Sequence, residues 1–106
     1  MTPKETYDAI GQNFIAEHDA EMGQMFGKAS LKFKGKAFAA FQNDCMIFRL
    51  GKETISGLKD TYSEAENWDP SGKGRPMKDW LSVPYEHSNS WKTLAEQSLE
   101  FLKANL

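Results

Sequence analysis

The stretch from Lys28 to Leu50 restricts the fold most. In Lys28-Ala29-Ser30-Leu31-Lys32-Phe33-Lys34 apolar residues hold the odd positions and polar residues the even ones. A period of two predicts a half-buried strand with a basic outer face. Gly35 marks a tight turn. Ala37-Phe38-Ala39-Ala40-Phe41 and Cys45-Met46-Ile47-Phe48-Arg49-Leu50 are apolar on both faces, and Gln42-Asn43-Asp44 between them favours a turn. Short turns between strands predict an antiparallel meander. Strands apolar on both sides must be covered on both sides. A chain of 106 residues has few helices to do this. The expectation is therefore a homodimer, in which the open sheet face of one copy meets its twin.

The flanking segments read as helices and further strands. Thr2-Pro3-Lys4-Glu5 has the residue types of a capping box with proline at the first helical position. Tyr7, Ile10 and Phe14 continue on one helical face, which predicts a helix over 3–18. Gly23 and Gly27 punctuate the segment between this helix and Lys28. A second helix is predicted over 52–62, with Ile55, Leu58 and Tyr62 on one face; Gly57 weakens it by about 1 kcal/mol relative to alanine. Residues 65–68 and 77–83 read as strands, separated by the turn-rich Asp69-Pro70-Ser71-Gly72-Lys73-Gly74-Arg75-Pro76. A last helix is predicted over 89–104 from a Ser88 or Ser90 cap, its stripe formed by Trp91, Leu94, Ala95, Leu99 and Leu102. The order is α-β-β-β-α-β-β-α: one α+β domain over 1–106, a two-layer sandwich on a five-stranded antiparallel sheet.

Composition narrows the class. Hydrophobic residues make up 40% and charged residues 26%, with seven Phe, three Tyr and three Trp, so the chain can bury enough apolar surface to offset its ordering entropy. The single cysteine, Cys45, excludes an intrachain disulfide and reads as a small buried hydrophobe. No apolar run approaches the ~20 residues of a membrane helix, and the N-terminus has no apolar signal core. A cytoplasmic, bacterial protein away from membranes is expected. Net charge is −2, laid out in blocks: acidic over 1–27, basic over 28–52, acidic over 53–69, basic over 70–78 and acidic over 79–106. A nucleic-acid binder more often shows a net positive domain, so nucleic acid is not the expected partner.

Met25-Phe26-Gly27, Gly35-Lys36-Ala37-Phe38, Pro76-Met77 with Trp80, Val83-Pro84 and the closing helix from Trp91 succeed one another at characteristic spacings. In these the chain resembles the TfoX N-terminal domain family (TfoX/Sxy-like), with the MmcQ/YjbR-like proteins as a related look-alike. The resemblance implies an α+β fold with a five-stranded antiparallel sheet and brings no catalytic residues. The family's named member regulates competence and carries a second, C-terminal domain, which these residues do not include. The family's Gly-Gly after Met-Phe stands here as Gly27-Lys28. Both departures weigh against a competence role.

Candidate sites are few. In Ser71-Gly72-Lys73-Gly74-Arg75-Pro76-Met77-Lys78 glycines would let backbone N–H groups approach an anion, which Lys73, Arg75 and Lys78, with Arg49, would neutralise. The spacing is not that of a Walker loop, and the bland alternative is a strand connection with solvated bases. Lys28, Lys32 and Lys34 suit phosphates, but equally suit an edge strand guarded against aggregation. His18 and His87 lack the partners of a metal site, so no metal or cofactor is expected. Asp69 and Asp79 are candidate carboxylates only by default, and no catalytic constellation of nucleophile, base and orienting group assembles. Trp68, Trp80 and Trp91 could line a ligand pocket but read mainly as core or dimer contact. Met22, Met25 and Phe26, with Trp80, are the candidate interaction surface. The functional expectation is a non-enzymatic interaction or regulatory module with an unknown protein partner; the alternative is anion, nucleotide or nucleic-acid binding through the 71–78 loop.

Overall fold

The computed structural model describes residues 1–106. The elements run α1 (Pro3–His18), β1 (Glu21–Met25), β2 (Lys28–Phe33), β3 (Lys36–Gln42), β4 (Cys45–Arg49), α2 (Lys52–Thr61), β5 (Glu66–Asn67), β6 (Trp80–Pro84) and α3 (Trp91–Ala104), with a 3-10 stretch over Tyr85–Ser90. The class is mixed helix and antiparallel sheet, as the residue pattern predicts. The sheet has six strands rather than five, in the order β1-β2-β3-β4-β6-β5. The additional strand is β1, in the segment that the glycines punctuate. No helix is long and apolar enough to cross a membrane.

Local chemistry explains most of the boundaries. Thr2 Oγ1 accepts from Glu5 N–H at 3.1 Å, and Thr2 N–H donates back to Glu5 Oε1 at 2.8 Å, closing the capping box at the start of α1. Hydrogen bonding from the Thr2 backbone N–H, and then from its hydroxyl, holds the Glu5 carboxyl below its ordinary pKa. Three two-residue hairpins come next: Phe26-Gly27, Lys34-Gly35 and Asn43-Asp44 all have positive φ at both central residues, as type I′ turns require. At the other end α3 starts at Trp91, and Ser90 makes no side-chain cap, because the 3-10 stretch runs directly into the helix. The 77–83 strand starts only at Trp80.

The sheet's first face is covered by helices. Leu31, Phe38, Met46, Phe48, Leu81 and Val83 pack with Tyr7 and Phe14 of α1 and with Trp91, Leu94, Leu99 and Leu102 of α3 in the main core. Ala29, Leu31 and Phe33 of β2 join this core, as the period of two predicts, but the opposite face is not an exposed basic one: Ser30 is fully buried and Lys28 and Lys32 are half-buried. Helix α1 lies close enough that a Cβ on Gly11 would stand 3.2 Å from Leu31 Cδ2.

The second face is covered by the same chain. In a flat sheet β5 and β3, three strands apart, would lie about 14 Å from each other. Yet the indole of Trp68, one residue past β5, donates to Gln42 Oε1 at the end of β3 at 2.8 Å. From the far edge of the sheet Phe26 reaches the same indole, ring centroids 6.0 Å apart. The sheet therefore curls and this face is concave. A register shift at Leu31/Lys32 opposite Ala37–Ala39 supplies a bulge of the kind that bends strands. Ala40, Ile47, Trp68 and Trp80 are buried together there, with Met25, Ala37 and Met77 packed on them. The expectation that a twin must cover residues 37–50 is corrected on this point: Phe38, Ala39, Ala40, Met46, Ile47 and Phe48 have no exposed surface in the single chain.

Candidate functional site

The return from β5 to β6 shapes the concave face. Asn67 Nδ2 donates to the carbonyls of Met77, Lys78 and Trp80 at 3.2–3.3 Å. Met77 N–H donates to Trp68 O at 2.8 Å. These bonds hold the base of the loop shut and lay Met77 against Trp80. Gln42 Nε2 donates to Pro70 O at 3.4 Å, tying the outer limb to β3.

The glycine loop is wound around its own carboxylate. Asp69 accepts from the N–H groups of Gly72 (3.0 Å), Gly74 (2.8 Å) and Arg75 (3.2 Å) and from Ser71 Oγ (3.2 Å). Desolvation pushes the Asp69 carboxyl up, but these donors together outweigh it and hold the pKa below the ordinary aspartate value. Gly72 and Gly74 sit at φ +69° and +78°, as the tight winding needs. The donors that the sequence suggests for an external anion are thus occupied from within. Lys73 and Arg75 are exposed around the outside of the loop.

Arg49 and Lys78, the other two residues of that predicted set, border a cavity of about 480 Å³ on the concave face. Lys36, which the sequence pattern does not single out, joins them there. Its signal was its place directly after the Lys34-Gly35 turn, at the end of the sheet where β4 also finishes. Met25, Ala37, Met77 and Trp80 supply the apolar lining, and Asp79 the single carboxylate. Asp79 is committed elsewhere: Oδ1 accepts from Lys52 N–H at 3.2 Å at the start of α2, and its carbonyl accepts from Leu50 and Gly51. A carboxylate suits the positive end of a helix dipole. The only side-chain ion pair in the chain is Lys4–Asp8, so Lys36, Arg49 and Lys78 face the cavity region without an acidic partner. Three cations against one carboxylate leave the concavity with a positive balance, which favours anions there.

The candidate interaction residues do not form one surface. Met22 points toward α1, close to Gly11, while Met25 faces the concave side. Trp80 is only 7% exposed, so it floors the cavity instead of presenting a docking surface. Phe26 is 61% exposed at the tip of the first hairpin. His18 lies tilted against Phe14 and His87 meets Tyr62 edge to face, and no three His, Cys, Asp or Glu side chains converge. Cys45 is a half-buried free thiol at the start of β4.

A larger concavity, about 680 Å³, lies between α2 and α3. Its α3 wall is Thr93, Glu96, Gln97 and Glu100, a polar stripe at helical spacing, over a floor of Leu50 and Phe101. That polar stripe gives α2 nothing apolar to close onto, which is why the two helices stand apart. Comparison with known proteins returns no matching family model, no matching curated protein and no matching solved structure.

Proposed function

We propose that this chain is a non-enzymatic binding module that takes a small anionic ligand at the concave-face cavity. The observation that carries this reading is the group Lys36, Arg49 and Lys78, without ion-pair partners around an apolar-lined cavity that holds a single carboxylate, Asp79, bonded to the start of α2. The volume falls within the range of small-molecule sites, which combine apolar lining with a few placed polar groups. Trp80 in the lining provides the readout. Titration with phenyl phosphate at low ionic strength should give a saturable change in tryptophan fluorescence. Lys36→Glu and Lys78→Glu, both at exposed positions, should weaken it strongly while leaving the circular dichroism unchanged. A flat titration, or one that both reversals leave untouched, rejects the reading.

A second reading, the interaction or regulatory module, has its own observation. Phe26 is held at φ 54° while 61% exposed. A bulky residue there is strained, and in the lone chain most of its ring gains nothing from burial. Under this reading Phe26 docks on a protein partner, including a second copy. Sedimentation should then show concentration-dependent association that Phe26→Ser abolishes; a monomer at every concentration removes the homodimer form.

A further inference from the structure

Resting on the anion-binding reading, we infer that Arg49 is the specificity-determining residue of the concave cavity and that its ligand is an oxyanion, carboxylate or phosphate, carried on an apolar body. Strand alternation places Met46 and Phe48 in the main core and turns Arg49 to the opposite face. The guanidinium carbon stands 5.8 Å from the centroid of the Phe101 ring, at the end of the sheet where Phe101 packs against Gly51. The ring attracts the cation without taking a hydrogen bond from it, and no side chain or backbone carbonyl accepts from the guanidinium N–H groups. No carboxylate pairs with them: Asp79, the acid bordering the cavity, is bonded to the first amide of α2. A half-buried guanidinium held beside an aromatic ring and lacking a salt-bridge partner offers a planar fork to a planar pair of oxygens, whereas Lys36 and Lys78 are exposed point charges on flexible stems. The lysines therefore attract, and the arginine selects.

The rest of the lining defines the body of the ligand. Met25, Met77, Ala37 and Trp80 offer no side-chain charge, and the two methionines come from different parts of the chain, so they can adapt to shape. Bare phosphate would leave this surface unused.

The test is calorimetric titration of the full chain, at low ionic strength, with phenyl phosphate, benzoate and inorganic phosphate, in the wild type, Arg49→Lys and Lys78→Ala. Arg49→Lys keeps the charge and loses the fork. The expected result is binding of phenyl phosphate or benzoate, with inorganic phosphate at least about tenfold weaker. Arg49→Lys should lose about tenfold or more, the cost of a charged hydrogen bond, and Lys78→Ala no more than about fivefold. Whichever organic probe binds tighter assigns the head group, and either result upholds the inference. Equal losses in Arg49→Lys and Lys78→Ala overturn the role of Arg49 while leaving anion binding intact. Inorganic phosphate binding as tightly as phenyl phosphate overturns the apolar body. Failure of all three probes in the wild type removes the anion-binding reading itself.

Discussion

On the helical face of the sheet, Trp91, Tyr7, Phe14, Phe38 and Phe48 are packed without exposed surface among leucines from sheet and helix. On the concave face, four buried residues and two loop limbs do the covering, fastened by side-chain amides: Asn67 to three carbonyls, Gln42 to Trp68 and Pro70. One face is closed by apolar volume and the other by polar ties around a small aromatic cluster. Close packing leaves no room for a ligand, whereas ties between loops can hold a cavity open. The concave face gathers Lys36, Arg49 and Lys78 around one cavity, whereas the larger concavity of the helical side, between α2 and α3, is walled by Glu96 and Glu100.

Paired truncations break or sharpen this contrast. Trp91→Ala on the helical face should cost about 3–5 kcal/mol in denaturant unfolding, because dense surroundings cannot collapse into the gap. Trp68→Ala removes the same side chain from a thinner layer that can relax, and should cost less, about 2–3 kcal/mol. Equal costs would mean that the concave face is as tightly packed as the other. Gly51 tests the border between the faces. It lies at φ 84°, ψ 148°, a region essentially reserved for glycine, and a Cβ there would stand 2.6 Å from Phe101 Cε1. Gly51→Ala should therefore destabilise by about 1–3 kcal/mol through backbone strain alone and also displace Phe101 from beneath Arg49. Denaturation measures the first effect; anion titration measures the second.

The helical face was largely legible in the sequence and the concave face was not. Helix α1 is bounded where the Thr2-Glu5 box and the spacing of Tyr7 and Phe14 place it, and β2 keeps its period of two. Those signals are local. Strand β1 was hidden because Glu21-Met22-Gly23-Gln24-Met25 has neither β-branched residues nor alternation, and its turn uses Phe26-Gly27 where asparagine-glycine would be expected. Its pairing with β2 is what makes it a strand. Residues 37–50 are apolar on both faces, as their pattern reads, but the single chain covers both, so this apolarity gives no reason for a twin. Curling of a sheet is a property of six strands and a bulge together, and no window of the sequence shows it. The site was half legible. Charge alone singles out Arg49 and Lys78, and both border the cavity. Charge equally singles out Lys73 and Arg75, but Asp69 supplies the anion their loop would otherwise need. Lys36 has only its place after the Lys34-Gly35 turn as a signal, and the pairing of β3 with β4 is what brings it to the same end of the sheet as Arg49.

Tyr7 probes how dry the helical face is. Burial, with Asp8 adding to it, pushes its hydroxyl well above the ordinary tyrosine range, and the buried oxygen has no hydrogen-bond partner. The folded-state pKa is raised, so the stability linked to it is fully present below the unfolded value of about 10 and declines as pH rises through and beyond it. Unfolding measured from pH 9 to 11 should show this decline, and Tyr7→Phe should remove it. At neutral pH the substitution should change stability by no more than about 1 kcal/mol, since it removes an unmade hydrogen bond rather than a made one.

The smallest effect on global stability belongs to Asp69, and it is the most specific test of how the concave face is held. Its folded-state pKa is lowered by the N–H groups of Gly74, Arg75 and Gly72 and by Ser71, against the opposing push of desolvation. The stabilisation of the loop is thus present above the ordinary aspartate value and disappears as pH falls through the lowered one. Hydrogen exchange at Gly72, Gly74 and Arg75 should show protection at neutral pH that is lost in acid. Asp69→Ala should lose the same protection at every pH. The denaturation midpoint should scarcely move in that variant, because the base of the loop is held independently by Asn67 and by the Met77–Trp68 bond. If Asp69→Ala instead lowers global stability as much as Trp68→Ala does, the carboxylate is integral to the concave cluster, and the loop cannot be treated as a self-contained winding beside the cavity.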